Sequence, residues 1–145
     1  MGGDQLSLDI KLEASSRSLI TSVAAQKVYG SIGRSRLQPE GGSAQQHVCC
    51  SLASGSDLEW LPQELVLYAD ALFELELTVT LPQDASFLSA EIVRLGRTAA
   101  GETLQQGRWR SSLTIQRLAG NSSTWELADR VDLGGTSLDL SLIHI

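Results

Sequence analysis

The side chains in this sequence best suited to hold a metal are His47, Cys49 and Cys50, in the run His-Val-Cys-Cys. On an extended strand, His47 and Cys49 face one side and Cys50 the other, so at most two of them converge on one ion. A structural zinc site takes four such ligands, and no second Cys/His pair supplies the rest. The run therefore reads as a strand whose thiols pack as small apolar groups. Nucleophilic catalysis is no better served. There is no Gly-x-Ser-x-Gly elbow, and a Ser-His-Asp arrangement would rest on His47 alone, because the other histidine, His144, sits in the last few residues. Gly30-Ser-Ile-Gly33-Arg34 lacks the Gly-Lys-Ser/Thr ending of a phosphate loop and reads as a turn. Glu74 and Glu76 fall on the polar face of an alternating run, where solvation accounts for them. No catalytic residue is identified.

One short stretch stands apart. Leu58-Glu59-Trp60-Leu61-Pro62-Gln63-Glu64 places an indole, a proline and two carboxylates within seven residues. Trp60 is costly to expose and reads as an anchor. Pro62 has no N–H and a fixed φ, so it ends or bends the preceding strand. Gln63 and Glu64 then sit on a constrained turn that can aim their polar ends. On these residues alone the segment is either a packed corner between strands or a functional corner.

The elements that must position these groups read as strands. Leu6, Leu8, Ile10 and Leu12 alternate with Ser7, Asp9, Lys11 and Glu13, and Phe73, Leu75, Leu77, Val79 and Leu81 alternate with Glu74, Glu76, Thr78 and Thr80. Period 2 means one face buried and one wet. Further strands are predicted over 19–24, 48–53, 65–68, 87–94, 108–117 and 125–133, separated by Gly/Ser/Pro punctuation. Residues 39–46 read as a flexible loop. Only 97–105 could be helical, for one or two turns, with Gly101 weakening it. The fold class is all-β.

Composition narrows the function. The 145 residues carry 11 basic and 17 acidic side chains, a net charge of −6, and 42% are hydrophobic. Such a chain can bury a core. An acidic chain with no Lys/Arg cluster argues against nucleic acid and anionic membrane as partners. No apolar run approaches the roughly 20 residues of a membrane helix. The first residues show neither the basic region nor the apolar core of a signal peptide, and two adjacent cysteines form no disulfide framework, so the expected compartment is the cytoplasm. The last six residues, Leu-Ser-Leu-Ile-His-Ile, read like the translated end of a transposon used in library preparation, so 140–145 is expected to be a non-native tail.

Taken in order, the motifs resemble the urease accessory protein UreD family (UreH in some systems). The resemblance rests on Leu58 to Glu64 with Asp70 after it, then Glu91, Leu95-Gly96-Arg97, Ala100-Gly101-Glu102, Gly107 and Arg110. Upstream, Gly2-Gly3-Asp4 resembles the latter part of the family's glycine-rich segment, and Ala25-Gln26-Lys27-Val28-Tyr29 its Lys-Val/Ile-Tyr stretch. Members are about twice this length, which implies that 1–139 is the central part of a single domain, truncated at both ends. The resemblance implies a β-helix-like stack of sheets with at most one or two short helices. It implies a non-enzymatic, cytoplasmic chaperone that binds apo-urease, recruits UreF and through it UreG, and passes nickel to urease without a tightly bound cofactor.

The interface candidates it yields are Lys27, Tyr29, Glu59, Trp60, Pro62, Gln63, Asp70, Glu91, Gly96, Arg97, Gly101 and Glu102. Asp4 and Glu64 are the foremost candidates for a transient nickel route, because weak carboxylate sites release what a tight cage would keep. The competing role for these acids is to hydrogen-bond backbone at strand corners. Arg97 and Lys27 are expected to pair with acids, Tyr29 and Trp60 to pack, and Gly2, Gly3, Gly96 and Gly101 to hold backbone shapes that need positive φ or close approach. The alternative is a generic all-β binding module or small hydrolase unrelated to urease.

Overall fold

The computed structural model describes residues 3–135. Among them, strands β1 (Gln5–Leu12), β2 (Arg17–Ile20) and β3 (Gln26–Val28) form a first coil. A second follows with β4 (Ala44–Leu52), β5 (Asp57–Trp60) and β6 (Leu65–Leu67), and a third with β7 (Leu72–Pro82), β8 (Ser86–Ser89) and β9 (Val93–Leu95). Then come β10 (Arg108–Ala119) and β11 (Ser122–Gly134). Like strands of successive coils pair in parallel, giving sheets β1-β4-β7-β10-β11, β2-β5-β8 and β3-β6-β9. Only β11 runs antiparallel, as a hairpin on β10 with a bulge between Ile115 and Gln116. The chain thus winds as a three-faced β-solenoid, and the all-β expectation holds.

Parallel register turns sequence alternation into columns. Ile10 lies opposite Cys50, Cys50 opposite Val79, and Val79 opposite Ile115, all on the inward face. With Leu12, Val48, Leu52, Leu77 and Leu81 they form one core cluster, roofed by Leu58 and Ala85 from the second sheet and its approach. Each fully buried aliphatic side chain contributes about 1.5–3 kcal/mol. A second cluster gathers Val28, Leu65 and Leu67 of the third sheet against Ala44, Phe73, Trp109 and Leu104. Leu75 touches both clusters. At that level the inward column is mixed: Gln46 and Ser111 flank Leu75 on its two sides. Gln26 Nε2 donates to Gln46 Oε1 at 2.7 Å, and Ser111 Oγ to Glu91 Oε2 at 3.4 Å.

The boundaries differ from expectation where coil geometry overrides local pattern. The strand expected over 48–53 begins at Ala44, because Gln45 and Gln46 extend the pairing with β1 and β7; the expected loop therefore ends at Ser43. The strand expected over 87–94 is two, β8 and β9, broken by the corner at 90–92 where the chain changes sheet. The strand expected over 19–24 is β2, which ends at Ile20 before its own corner. The possible helix over 97–105 reduces to one 3₁₀ turn, Thr98–Ala100, stopped by Gly101 at φ +67°. Gly2, the tail 140–145, its His144 and the boundary at 139 lie outside the described residues.

Candidate functional site

Each coil turns a corner between its second and third strands, and the corners stack. Here the structure places Glu59, Trp60, Pro62, Gln63, Glu64 and Glu91. Glu59 is exposed on β5, while Trp60 is half-buried against the first core cluster. Past Pro62, the Gln63 N–H donates to Ser22 Oγ at 2.9 Å in the coil below. The Glu64 carbonyl accepts from Gln26 N–H at 3.0 Å, and the Leu65 N–H donates to the Ile92 carbonyl at 2.8 Å. Three coils are laced by backbone at this point, and the Glu64 carboxylate pairs with Arg94 at 3.2 Å. Glu91 keeps an exposed edge, yet burial among neighbouring atoms pushes its carboxyl up, with repulsion from Asp129 adding and the Ser111 hydroxyl opposing.

The second stack of corners leads from the third sheet into the next coil. It holds Tyr29, Asp70, Gly96, Arg97, Gly101 and Glu102. Val28 lies opposite Leu67 and Leu67 opposite Leu95, so Tyr29 and Tyr68, one residue on, fall beside each other. Their rings meet edge to face, with centroids 4.8 Å apart. The Arg97 guanidinium then lies 5.1 Å from the Tyr68 ring centroid, a cation over an aromatic face. Arg97 Nε donates to Glu102 Oε2 at 2.8 Å, and Nη2 closes the fork on Oε1. That pairing holds the Glu102 carboxyl below the usual range and raises Arg97. Asp70, at φ +62°, accepts the Gln106 N–H on Oδ1 at 3.2 Å and the Ser31 N–H on its carbonyl at 3.1 Å. Gly96, at φ +80°, lies so close to Glu102 that a Cβ would sit 2.3 Å from its carbonyl oxygen. Lys27 is exposed on β3 and has no ion pair among the described residues.

Between this stack and the loop 31–42 lies a cleft of about 540 Å³, with Tyr29, Tyr68, Arg34, Arg97 and Glu102 among its walls. Asp4 lines a smaller cavity of about 120 Å³ with Gln26, Gln45 and Phe73 at the first-coil end. Asp4 and Gln26 thus share a cavity, and Gln26 also bonds the Glu64 carbonyl through its backbone N–H.

On the outer face of the first sheet, His47 Nδ1 meets Glu76 Oε2 at 3.0 Å. Cys49 is exposed on the same face, while Cys50 is buried and its thiol is pushed up to about 11, chiefly by burial. Both follow from strand alternation. Among the described residues, no group of three or more His, Cys, Asp and Glu is placed to hold a metal ion.

The family model for the UreD urease accessory protein matches residues 1–144. This chain belongs to the UreD family. The UreD protein of Synechococcus sp. strain CC9605 is 89% identical over 139 residues, covering 96% of this chain and 45% of the relative. That of Synechococcus sp. strain WH7805 is 70% identical over 142 residues, covering 96% and 44%. That of Prochlorococcus marinus strain MIT 9303 is 56% identical over 138 residues, covering 95% and 46%. The chain thus spans a little under half the length of the curated relatives it matches. Membership sets aside an all-β module unrelated to urease. Sequence reasoning missed Tyr68, Gln46 and the His47–Glu76 pair. Tyr68 carries a signal in hindsight, an aromatic in register with Tyr29 one coil on. The unequal coil lengths hide it.

Proposed function

We propose that this UreD chain is part of a non-catalytic, cytoplasmic scaffold that binds apo-urease, engages UreF and through it UreG, and helps pass nickel to the urease active site. Family membership along nearly the whole chain is the observation that carries the reading. A laced solenoid also suits the task, because stacked strands present fixed faces to two partners at once. No helix among the described residues is long and apolar enough to cross a membrane.

For the ion, which is cargo rather than a resident cofactor, oxygen donors near one level of the solenoid support a route. Asp4 stands at a cavity that reaches Gln26, Gln26 bonds Gln46, and beyond Leu75 the Ser111 hydroxyl bonds Glu91 at the exposed edge. Oxygen donors of this kind bind Ni²⁺ weakly enough to release it. Glu64 would act from the neighbouring corner, exchanging Arg94 for the cation. The test is to place Asp4→Asn and Glu64→Gln in the intact gene and measure nickel per urease active site. The route predicts reduced nickel with complexes still assembled. Normal nickel loading would exclude these two acids from it.

A further inference from the structure

We propose that the cleft under the loop 31–42 is a docking site for an extended acidic peptide segment that carries an aromatic or aliphatic side chain. The proposal goes beyond the maturation reading and stands without it, because it concerns the chemistry of what docks and not its name.

Charge is the first argument. The chain has a net charge of −6, yet this loop carries Arg34 and Arg36 against a single acid, Glu40. Arg34 lines the cleft, and neither its guanidinium nor that of Arg36 has a hydrogen bond or ion pair among the described residues. The other cation of the cleft, Arg97, is neutralised by Glu102. The free charge on offer is therefore positive, on an acidic molecule.

Apolar surface is the second argument. Tyr29, on the cleft wall, is 48% exposed although it packs on Tyr68, and Leu37, on the loop beside the cleft but not among its walls, is 98% exposed. A simple anion would satisfy Arg34 but leave both uncovered. A basic segment would meet the unpaired Arg34 guanidinium in the cleft, with Arg36 on the loop beside it. A carboxylate-bearing chain with one large apolar side chain satisfies both kinds of surface.

The site is also preformed. Ser31 Oγ donates to the Gly42 carbonyl at 2.9 Å, the Gly33 N–H to the Pro39 carbonyl at 2.7 Å, and Gln38 Nε2 to the Gly41 carbonyl at 3.1 Å. A loop tied across its own base loses little freedom when a ligand arrives.

Fluorescence anisotropy tests this with a labelled peptide, Gly-Ser-Glu-Asp-Phe-Glu-Asp-Ser-Gly, against a version with Lys at every acid and one with Ser for Phe. The proposal expects the acidic peptide to bind, the Lys version not to, and the Phe-less version to bind more weakly. The double variant Arg34→Ala/Arg36→Ala should weaken binding about tenfold, since it removes the unpaired charge that lines the cleft and the one beside it on the loop. Both side chains are exposed and unpaired, so the variant should melt at the parent temperature. On the unaltered protein, raising salt should weaken binding as well. No binding at millimolar peptide, equal binding of the Lys version, or indifference to the double variant would overturn the proposal. So would equal affinity of the Phe-less version, which would mark a simple anion site.

Discussion

Replacing Gly96 with alanine perturbs the second corner stack at its tightest point. The backbone there has φ +80°, and an added Cβ would lie 2.3 Å from the Glu102 carbonyl oxygen, 2.5 Å from its carbon and 2.8 Å from Thr103 Cα. Holding an L residue in the left-handed region costs about 1–2 kcal/mol. Forcing backbone apart to admit a methyl costs about 1–3 kcal/mol more, as overpacking does elsewhere. Gly96→Ala should therefore destabilise by about 2–5 kcal/mol.

Gly101 supplies the control. Its φ is +67°, but nothing lies within 4 Å of an added Cβ. Gly101→Ala should cost only the conformational part, about 1–2 kcal/mol. Urea unfolding followed by circular dichroism reads both. With a slope of about 1–3 kcal/mol per molar urea, the midpoint of Gly96→Ala should fall clearly below that of Gly101→Ala. Equal midpoints would refute the close approach between Gly96 and Glu102, and with it the packing that sets Arg97 against Glu102.

Substitutions at two further positions, Trp109 in the core and Glu91 at its edge, extend the test. Trp109 is 92% buried by exclusion from solvent, at 8% exposure, and its Nε1–H has no acceptor among the described residues. Trp109→Phe removes an unsatisfied donor worth about 1–3 kcal/mol. It should change stability by no more than about 1 kcal/mol, far less than the roughly 3–5 kcal/mol of Trp109→Ala; equal losses would contradict the orphaned N–H. Glu91 has a raised carboxyl pKa from burial, so the folded state favours its protonated form. Its cost is absent below the ordinary glutamate value of 4.5 and appears as pH rises through the folded pKa. Glu91→Gln should therefore gain stability over the parent at pH 7 and lose that gain near about pH 3; a pH-independent difference would contradict the assignment.

The fold was legible where one face is wet and the other dry. β7 alternates along its length, with Glu76 facing solvent while Val79 and Leu81 face the core, but β1 does so only at Ile10 and Leu12; Leu6 and Leu8, expected on the buried face, are exposed, because β1 is the edge strand of its sheet and no further coil covers its start among the described residues. The short strands of the third sheet were harder. β3 is only Gln26-Lys27-Val28, and β6 is buried along its whole length, so neither displays a period. Its pairing is dictated by the coil it belongs to and not by its own residues. The corner stacks were legible as motifs but not as places. Glu59 to Glu64 and Glu91 are far apart in sequence, and only the parallel register brings them to one edge. The same holds for Tyr29, Tyr68 and Arg97, which become a column through winding alone. Cys49 and Cys50 needed nothing beyond alternation.

Nickel per active site in urease purified from cells that carry or lack the intact gene is the most direct test of the maturation role. Urease from cells with the gene should hold nearly its full complement, and urease from cells without it should be largely empty at the same growth nickel. Equal loading in the two would contradict the account.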